Sequence, residues 1–153
     1  MAGTRILALD PGSKRIGVAL SDELGWTAQP LETYERRSVE ADVAHIQRLV
    51  RMHNVRQVVM GLPIRMDGRM GPEAESAQRF LETLERGLNV PVIAWDERLT
   101  SKSAERMLIE ANVSRKKRKG AVDRVAAALL LQSYLESLSS GEEAAGHGSP
   151  QDL

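Results

Sequence analysis

The arrangement of short apolar runs is the feature that most constrains how this chain can fold. Residues 5–10, 55–62 and 91–95 form nearly continuous apolar runs of strand length. Such runs are typical of strands that are buried on both faces of a sheet. The stretches between the later runs carry apolar residues at helical spacing. The chain is therefore predicted to form a mixed α/β sheet with helices on its faces.

The predicted order of elements is β-β-β-α-β-α-β-α-α. The first three strands are joined by short turns, which favours an antiparallel meander. The later strand-helix-strand units favour right-handed crossovers and parallel pairing. Gly87 is predicted to cap the second helix. The predicted strands cover 5–10, 15–21, 29–34, 55–62 and 91–95, and the predicted helices cover 39–53, 73–86, 100–111 and 121–138.

The length of 153 residues suits one domain with a substantial core. We expect this domain to cover residues 1–138. Within it, the highly charged stretch 114–120 is predicted to be a loop. The final segment, 139–153, is small and polar and is predicted to be a disordered tail.

The composition excludes several classes of site. The chain has no cysteine, so it can form neither disulfides nor thiolate metal sites. Its three histidines, His45, His53 and His147, are scattered and do not favour zinc. Any metal ion would have to be held by oxygen ligands, as hard cations prefer. The sequence has neither a membrane-spanning run nor a signal peptide, so a cytoplasmic protein is expected.

Acidic residues stand at the edges of three predicted core elements. Asp10 ends the first strand, Asp96 and Glu97 follow the last strand, and Asp123 lies in the first turn of the clearest helix. Each also has a structural explanation. Asp10 could cap a turn, Asp96 or Glu97 could pair with Arg98, and Asp123 could stabilise a helix N-terminus.

Taken together, the acids indicate a metal site. Clustered carboxylates repel one another, and a divalent cation relieves that repulsion. Two such cations can activate a water molecule and stabilise the leaving oxygen when a phosphodiester bond is hydrolysed. The hypothesis requires the acids to meet in space, which sequence periodicity cannot show.

A basic run is the second functional signal. Five consecutive cations bind phosphate backbones by charge without reading sequence, although a solvated loop would have the same composition. The whole chain is neutral, with 21 basic and 21 acidic residues, so a positive patch would have to be local. Aromatic residues make up only 3% of the chain, which disfavours a stacking platform for single strands. The cations concerned are Lys14, Arg15, Arg115, Lys116, Lys117, Arg118 and Lys119.

The motifs together resemble the YqgF family, relatives of the RuvC Holliday junction resolvase in the RNase H-like superfamily. The resemblance covers roughly residues 4–138 and rests on ALDPGSKRIGVALSD, VVMGLP, MDGRMGPEAE, PVIAWDERLTS and VDRVAAALLLQSYL. It implies an RNase H-like fold with a five-stranded sheet. It also implies that Asp10, Glu97 and Asp123 are the catalytic acids, holding two Mg²⁺ or Mn²⁺ ions. Arg98, within DERLTS, joins the cations expected to bind nucleic acid.

The resemblance implies an endonuclease that cleaves at the 5′ end of precursor 16S ribosomal RNA, or a resolvase acting on branched DNA. In the resolvase branch the second acid ends the fourth strand, where this chain has Gly61-Leu62-Pro63. The acid is therefore expected after the fifth strand, and the choice between Asp96 and Glu97 stays open.

Two other classes of function remain. An ATP-binding protein of the actin and sugar-kinase type also has an Asp and a Gly after its first strand, but that fold normally duplicates the domain. A non-catalytic module could bind nucleic acid through the basic run alone. The protein is expected to be a monomer or a homodimer, and a dimer would favour the resolvase branch because two strands of a junction must be cut.

Overall fold

A computed structural model describes residues 3–64, 67–97 and 115–145. The predicted helix over 100–111 and the candidate residue Arg98 lie outside these ranges. The described residues form five strands and three helices: β1 (Arg5–Pro11), β2 (Arg15–Ser21), β3 (Ala28–Glu35), α1 (Val39–Met52), β4 (Val55–Leu62), α2 (Pro72–Gly87), β5 (Val92–Asp96) and α3 (Arg115–Ala145).

The strands form one mixed sheet in the order β3-β2-β1-β4-β5. Strands β1, β2 and β3 pair antiparallel, which confirms the predicted meander. Strand β4 pairs parallel with β1 on one side and with β5 on the other. Because β1, β4 and β5 run in the same direction, their carboxyl ends lie at the same edge of the sheet.

Helices cover both faces of this sheet, as predicted. On one face, α1 and α2 pack through Ile46, Phe80 and Leu84 onto a buried layer that includes Leu7 and Leu9 of β1. On the other face, α3 covers the alternate residues of the same strands. The side chains on that second face are Ile6, Ala8, Ala19 and Val59, packed against Ala127, Ala128, Leu130, Leu131, Tyr134 and Leu135 of α3.

The ends of the first two helices follow from local chemistry. Ser38 caps α1 by accepting a hydrogen bond from the Ala41 N–H. Asn54 then takes a left-handed conformation, with φ of 54°, and turns the chain into β4. Pro72 begins α2. The prediction that Gly87 caps α2 is wrong, because Gly87 is still helical and the cap is Leu88.

The prediction of a loop over residues 114–120 is also wrong within the described range, residues 115–120. Helix α3 begins at Arg115, so the basic run forms its first turns. Arginine and lysine are good helix formers, and a high charge keeps a segment out of the core without breaking a helix. The helix continues to Ala145, seven residues past the predicted domain boundary at 138. No helix among the described residues combines the length and apolar character that crossing a bilayer requires.

Candidate active site

Two of the predicted acids lie at the carboxyl edge of the sheet, on the face that α3 covers. In β1, Ile6 and Ala8 pack against α3, and the strand's alternation places Asp10 on the same face. In β5, Trp95 packs on that face and Glu97 follows two residues later. Strand β4 lies between β1 and β5 and pairs parallel with both, so the sheet brings together two carboxylates that are 87 positions apart in the sequence.

The carboxyl groups of Asp10 and Glu97 are joined by a hydrogen bond. Of the two acids left open by the sequence, Glu97 is thus the one in contact with Asp10, while Asp96 pairs in register with Leu62 of β4. Asp96 still acts on Glu97 through its charge.

Gly61 of β4 makes room for this contact. A Cβ atom placed on Gly61 would lie 3.0 Å from Cγ and 3.2 Å from Cδ of Glu97. It would also lie 2.5 Å from Cδ1 of Leu130 in α3. Glu97 thus reaches over the bare backbone of Gly61 from the end of the next strand.

Burial and neighbouring negative charge change how these carboxyl groups titrate. Burial, the hydrogen bond with Asp10 and the charges of Asp10 and Asp96 raise the pKa of Glu97 to about 8. Burial also raises the pKa of Asp10, helped by the charge of Asp123 and opposed by the hydrogen bond with Glu97. Without a bound cation, the pair therefore shares a proton near neutral pH.

Asp123 approaches from α3 but is bound to another partner. The Nε–H of Arg15 donates a hydrogen bond of 2.7 Å to its Oδ2 atom. A Cβ atom on Gly17 would lie 1.8 Å from the Asp123 carbonyl oxygen, so β2 and α3 are in close backbone contact here. Asp123 is near enough to Asp10 to act on it electrostatically.

The three acids fit a hard divalent cation by chemistry but are not yet arranged around one. Carboxylate oxygens are the ligands that Mg²⁺ and Mn²⁺ prefer. However, in the described part of the chain no three acidic or histidine side chains are arranged to hold a metal ion. Completing the donor set would require the Asp123 carboxylate to turn from Arg15 toward Asp10 and Glu97.

The predicted basic residues have separate locations. Lys14 lies in the turn after β1, and its carbonyl oxygen accepts a hydrogen bond from the Arg36 N–H. Arg15 begins β2 and faces Asp123. The run from Arg115 to Lys119 provides the first backbone turns of α3.

Arg36 is a supporting residue that the sequence reasoning missed. Its guanidinium binds the buried Asp42, lies 4.6 Å from the ring centroid of Phe80 and donates to the carbonyl oxygen of Gly12. Gly12 belongs to the turn that follows Asp10. The signal for this role was Asp42, an acid placed among the inward positions of α1.

The chain is similar to a known protein family over most of its length. Residues 4–137 match the family model described as "RuvX: Holliday junction resolvase". A protein of Syntrophomonas wolfei, provisionally named as a pre-16S rRNA nuclease, is 48% identical over 91% of this chain and 99% of its own length. A protein of Bacillus subtilis with the same provisional name is 49% identical over 88% of this chain and 99% of its own.

Solved structures show the same fold at low identity. RuvC of Thermus thermophilus, in complex with a Holliday junction substrate, has a TM-score of 0.59 and 15% identity, covering 89% of this chain and 97% of its own. The fowlpox virus Holliday junction resolvase has a TM-score of 0.53 and 19% identity, and the match covers 87% of this chain and 99% of the resolvase. The expected RNase H-like fold and the resemblance to YqgF are therefore confirmed. The chain belongs to the RuvX, or YqgF, family of nucleases.

Proposed function

We propose that this protein is a metal-dependent endonuclease that processes the 5′ end of precursor 16S ribosomal RNA in the cytoplasm. The observation that carries the proposal is the contact between the half-buried carboxyl groups of Asp10 and Glu97, with the charge of Asp123 beside them. A structural ion pair would join an acid to a base, whereas this pair joins two acids. The choice of precursor 16S ribosomal RNA as substrate is supported by two relatives of nearly the same length, which are provisionally named pre-16S rRNA nucleases.

Asp10, Glu97 and Asp123 would hold the Mg²⁺ or Mn²⁺ ions. When bound, two such cations supply an activated water and charge stabilisation for the leaving oxygen. The chain's own contribution is to place the oxygens and restrict water around them. Asp10 and Glu97 must release their shared proton before both can act as anionic ligands. The raised pKa of Glu97 therefore favours the protonated pair until a cation binds.

Cations around this edge would hold the nucleic acid. Lys14 follows Asp10 by four residues, and the basic run precedes Asp123 on the same helix. Arg98, next in sequence to Glu97, would contribute in the same way. Phosphate contacts of this kind position a backbone without reading its sequence, so RNA structure would set the cut position.

Branched DNA is the second candidate substrate. It is favoured by the description of the matching family as Holliday junction resolvases. Resolution of a junction would require two copies of the chain acting as a pair, whereas removal of a 5′ extension needs only a monomer. The two substrates would share the same three acids.

The test is to incubate the protein with a labelled precursor 16S fragment or a four-way DNA junction, each with Mg²⁺, Mn²⁺ or EDTA. Asp10→Asn and Glu97→Gln remove one anionic ligand each while keeping side-chain size. Glu85→Gln, on an exposed position of α2, is the matched control. We expect metal-dependent cleavage of the RNA by the wild type and Glu85→Gln, and a loss of at least about 100-fold in the other two.

Cleavage of the junction alone would replace the RNA by branched DNA as the substrate. Binding of nucleic acid with no cleavage under any metal would contradict the enzymatic proposal. It would favour a non-catalytic binding module instead.

A further inference from the structure

The ion pair between Arg15 and Asp123 lies inside the candidate active site. The two charged atoms are 2.7 Å apart, and both side chains are between a quarter and a third exposed. Exposed or partly exposed pairs of this kind contribute little to folding stability. The position of the pair, beside two other carboxyl groups, therefore calls for a functional explanation.

The backbones on both sides of the pair are fixed. The carbonyl oxygen of Arg15 accepts a hydrogen bond of 2.7 Å from the Gly12 N–H, and Arg15 pairs in register with Glu35 of β3. The backbone of Asp123 is packed against Gly17. A change at this place must therefore come from the two side chains rather than from a movement of β2 or α3.

We propose that Arg15 occupies the place of a cation at Asp123 until substrate arrives, and that a phosphate of the nucleic acid draws the guanidinium away and frees Asp123 for the metal. This inference rests on the proposed function and adds the order in which the site is completed. Arginine suits the role because its planar guanidinium can bind either a carboxylate or a phosphate through two hydrogen bonds and stays charged at all physiological pH values.

Competition at Asp123 explains why the acids are not arranged around a metal position. A guanidinium that is hydrogen-bonded to a carboxylate opposes a divalent cation at the same oxygen. The contact between Asp10 and Glu97 provides two of the three proposed metal ligands, and Asp123 is the third. Full metal affinity would therefore require Arg15 to leave.

Thermodynamic linkage requires the binding of metal and of nucleic acid to affect each other equally. If nucleic acid strengthens metal binding by releasing Asp123, metal must strengthen nucleic-acid binding by the same factor. Removal of the Arg15 charge should then tighten metal binding in the absence of nucleic acid. It should also reduce the coupling between the two ligands.

The experiment measures Mn²⁺ binding to the full-length protein by calorimetry, without nucleic acid. Arg15→Gln removes the charge, and Arg15→Lys keeps it. Arg86→Gln, at the exposed end of α2, is the control for an equal change in net charge. We expect Arg15→Gln to bind Mn²⁺ about three- to tenfold more tightly than the wild type, and Arg15→Lys and Arg86→Gln to stay within about twofold of it.

A second measurement follows the affinity for a labelled precursor 16S fragment by anisotropy, with and without Mn²⁺. The factor by which Mn²⁺ strengthens RNA binding should be smaller in Arg15→Gln than in Arg86→Gln. Equal or weaker Mn²⁺ binding by a folded Arg15→Gln would overturn the inference and leave the nuclease proposal intact. Absence of Mn²⁺ binding by every form, with RNA present, would overturn both.

Discussion

The Glu97 side chain crosses the backbone of Gly61, so the position of this candidate acid depends on a residue that has no side chain. The Cγ atom of Glu97 lies 3.0 Å from the position that a Cβ atom on Gly61 would take. The glycine is on β4 and the acid follows β5, and these strands are neighbours in the sheet. Because glycine has no side chain at this position, the acid that follows the adjacent strand can reach Asp10.

Gly61→Ala should therefore inactivate the enzyme more than it unfolds it. The added methyl group meets Glu97 and Leu130 and would displace the Glu97 carboxyl from Asp10. We expect a loss of about 1–3 kcal/mol in the free energy of unfolding from overpacking. We expect kcat/KM for cleavage to fall by at least about 100-fold, because a displaced Glu97 could no longer act as the proposed metal ligand. Denaturant unfolding and steady-state kinetics measure the two effects.

Gly87→Ala is the control for this prediction. A Cβ atom there would lie 3.0 Å from Cγ1 of Val43, at the opposite end of α2 from the site. It should cost a similar or smaller amount of stability and leave kcat/KM unchanged. Full activity of Gly61→Ala would show that the position of Glu97 does not depend on the glycine.

Local patterns in the sequence were sufficient to predict the sheet. Continuous apolar runs are controlled by burial, and the predicted strand over 55–62 has the bounds of β4. The three acids were chosen as candidates because each stands at the edge of a predicted core element. The basic run was misassigned because charge was taken as evidence for a loop, whereas arginine and lysine are also good helix formers.

Long-range side-chain geometry could not be predicted from the same patterns. Arg15 and Asp123 are 108 residues apart, and either could have faced solvent. Their pairing depends on the close approach of β2 to α3 at Gly17, which follows from packing of the whole domain. For the same reason, the sequence left open whether Asp96 or Glu97 would meet Asp10.

The raised pKa of Glu97 predicts how the stability of the metal-free protein depends on pH. The pKa is about 8 in the folded protein, above the ordinary value of 4.5. The folded state therefore holds the Glu97 proton more tightly than the unfolded state does. The contribution of this proton to the stability of the fold is complete below pH 4.5 and is lost as the pH rises through 8. Asp10, whose pKa is also raised, acts in the same direction.

Glu97→Gln should remove most of this dependence, because glutamine resembles the protonated acid at every pH. In EDTA at pH 8.5 we expect its Tm to exceed that of the wild type by about 2–6 °C, or about 1–2 kcal/mol after allowance for solvent screening. The difference should shrink toward zero at pH 5. Thermal melts from pH 5 to 9 provide the measurement, and a lower Tm for Glu97→Gln at pH 8.5 would contradict the assignment.

Asp42 should matter more for stability than any exposed acid. It is 1% exposed, binds Arg36 and accepts a hydrogen bond from the Arg37 N–H. Burial raises its pKa, but hydrogen bonds from Arg37, Arg36 and Tyr34 outweigh this and leave the pKa below its ordinary value. Its contribution is therefore present above pH 3.8 and is lost as the pH falls further.

Asp42→Ala should reduce the free energy of unfolding by about 3–5 kcal/mol, because it leaves the Arg36 charge without its partner. Asp42→Asn keeps an acceptor and should cost less. Glu40→Ala, at an exposed position of the same helix, should change stability by no more than about 0.5 kcal/mol. Urea unfolding at pH 7 separates the three. Equal effects of Asp42→Ala and Glu40→Ala would show that the pairing with Arg36 carries no stability.

The helical state of the basic run predicts that its cations are not equivalent. Positions 116 and 119 precede Asp123 by seven and four residues and fall on the same side of an α-helix as Asp123, whereas 117 and 118 fall on other sides. The double change Lys116→Ala and Lys119→Ala should therefore weaken RNA binding more than Lys117→Ala with Arg118→Ala. Both variants lose two positive charges, so each is the control for the other.

Anisotropy titrations over a series of salt concentrations measure the effect. The slope of log affinity against log salt should fall by about 0.7 for each phosphate that the protein no longer neutralises. Equal weakening in the two variants would indicate that the run acts only through its total charge, as a disordered segment would.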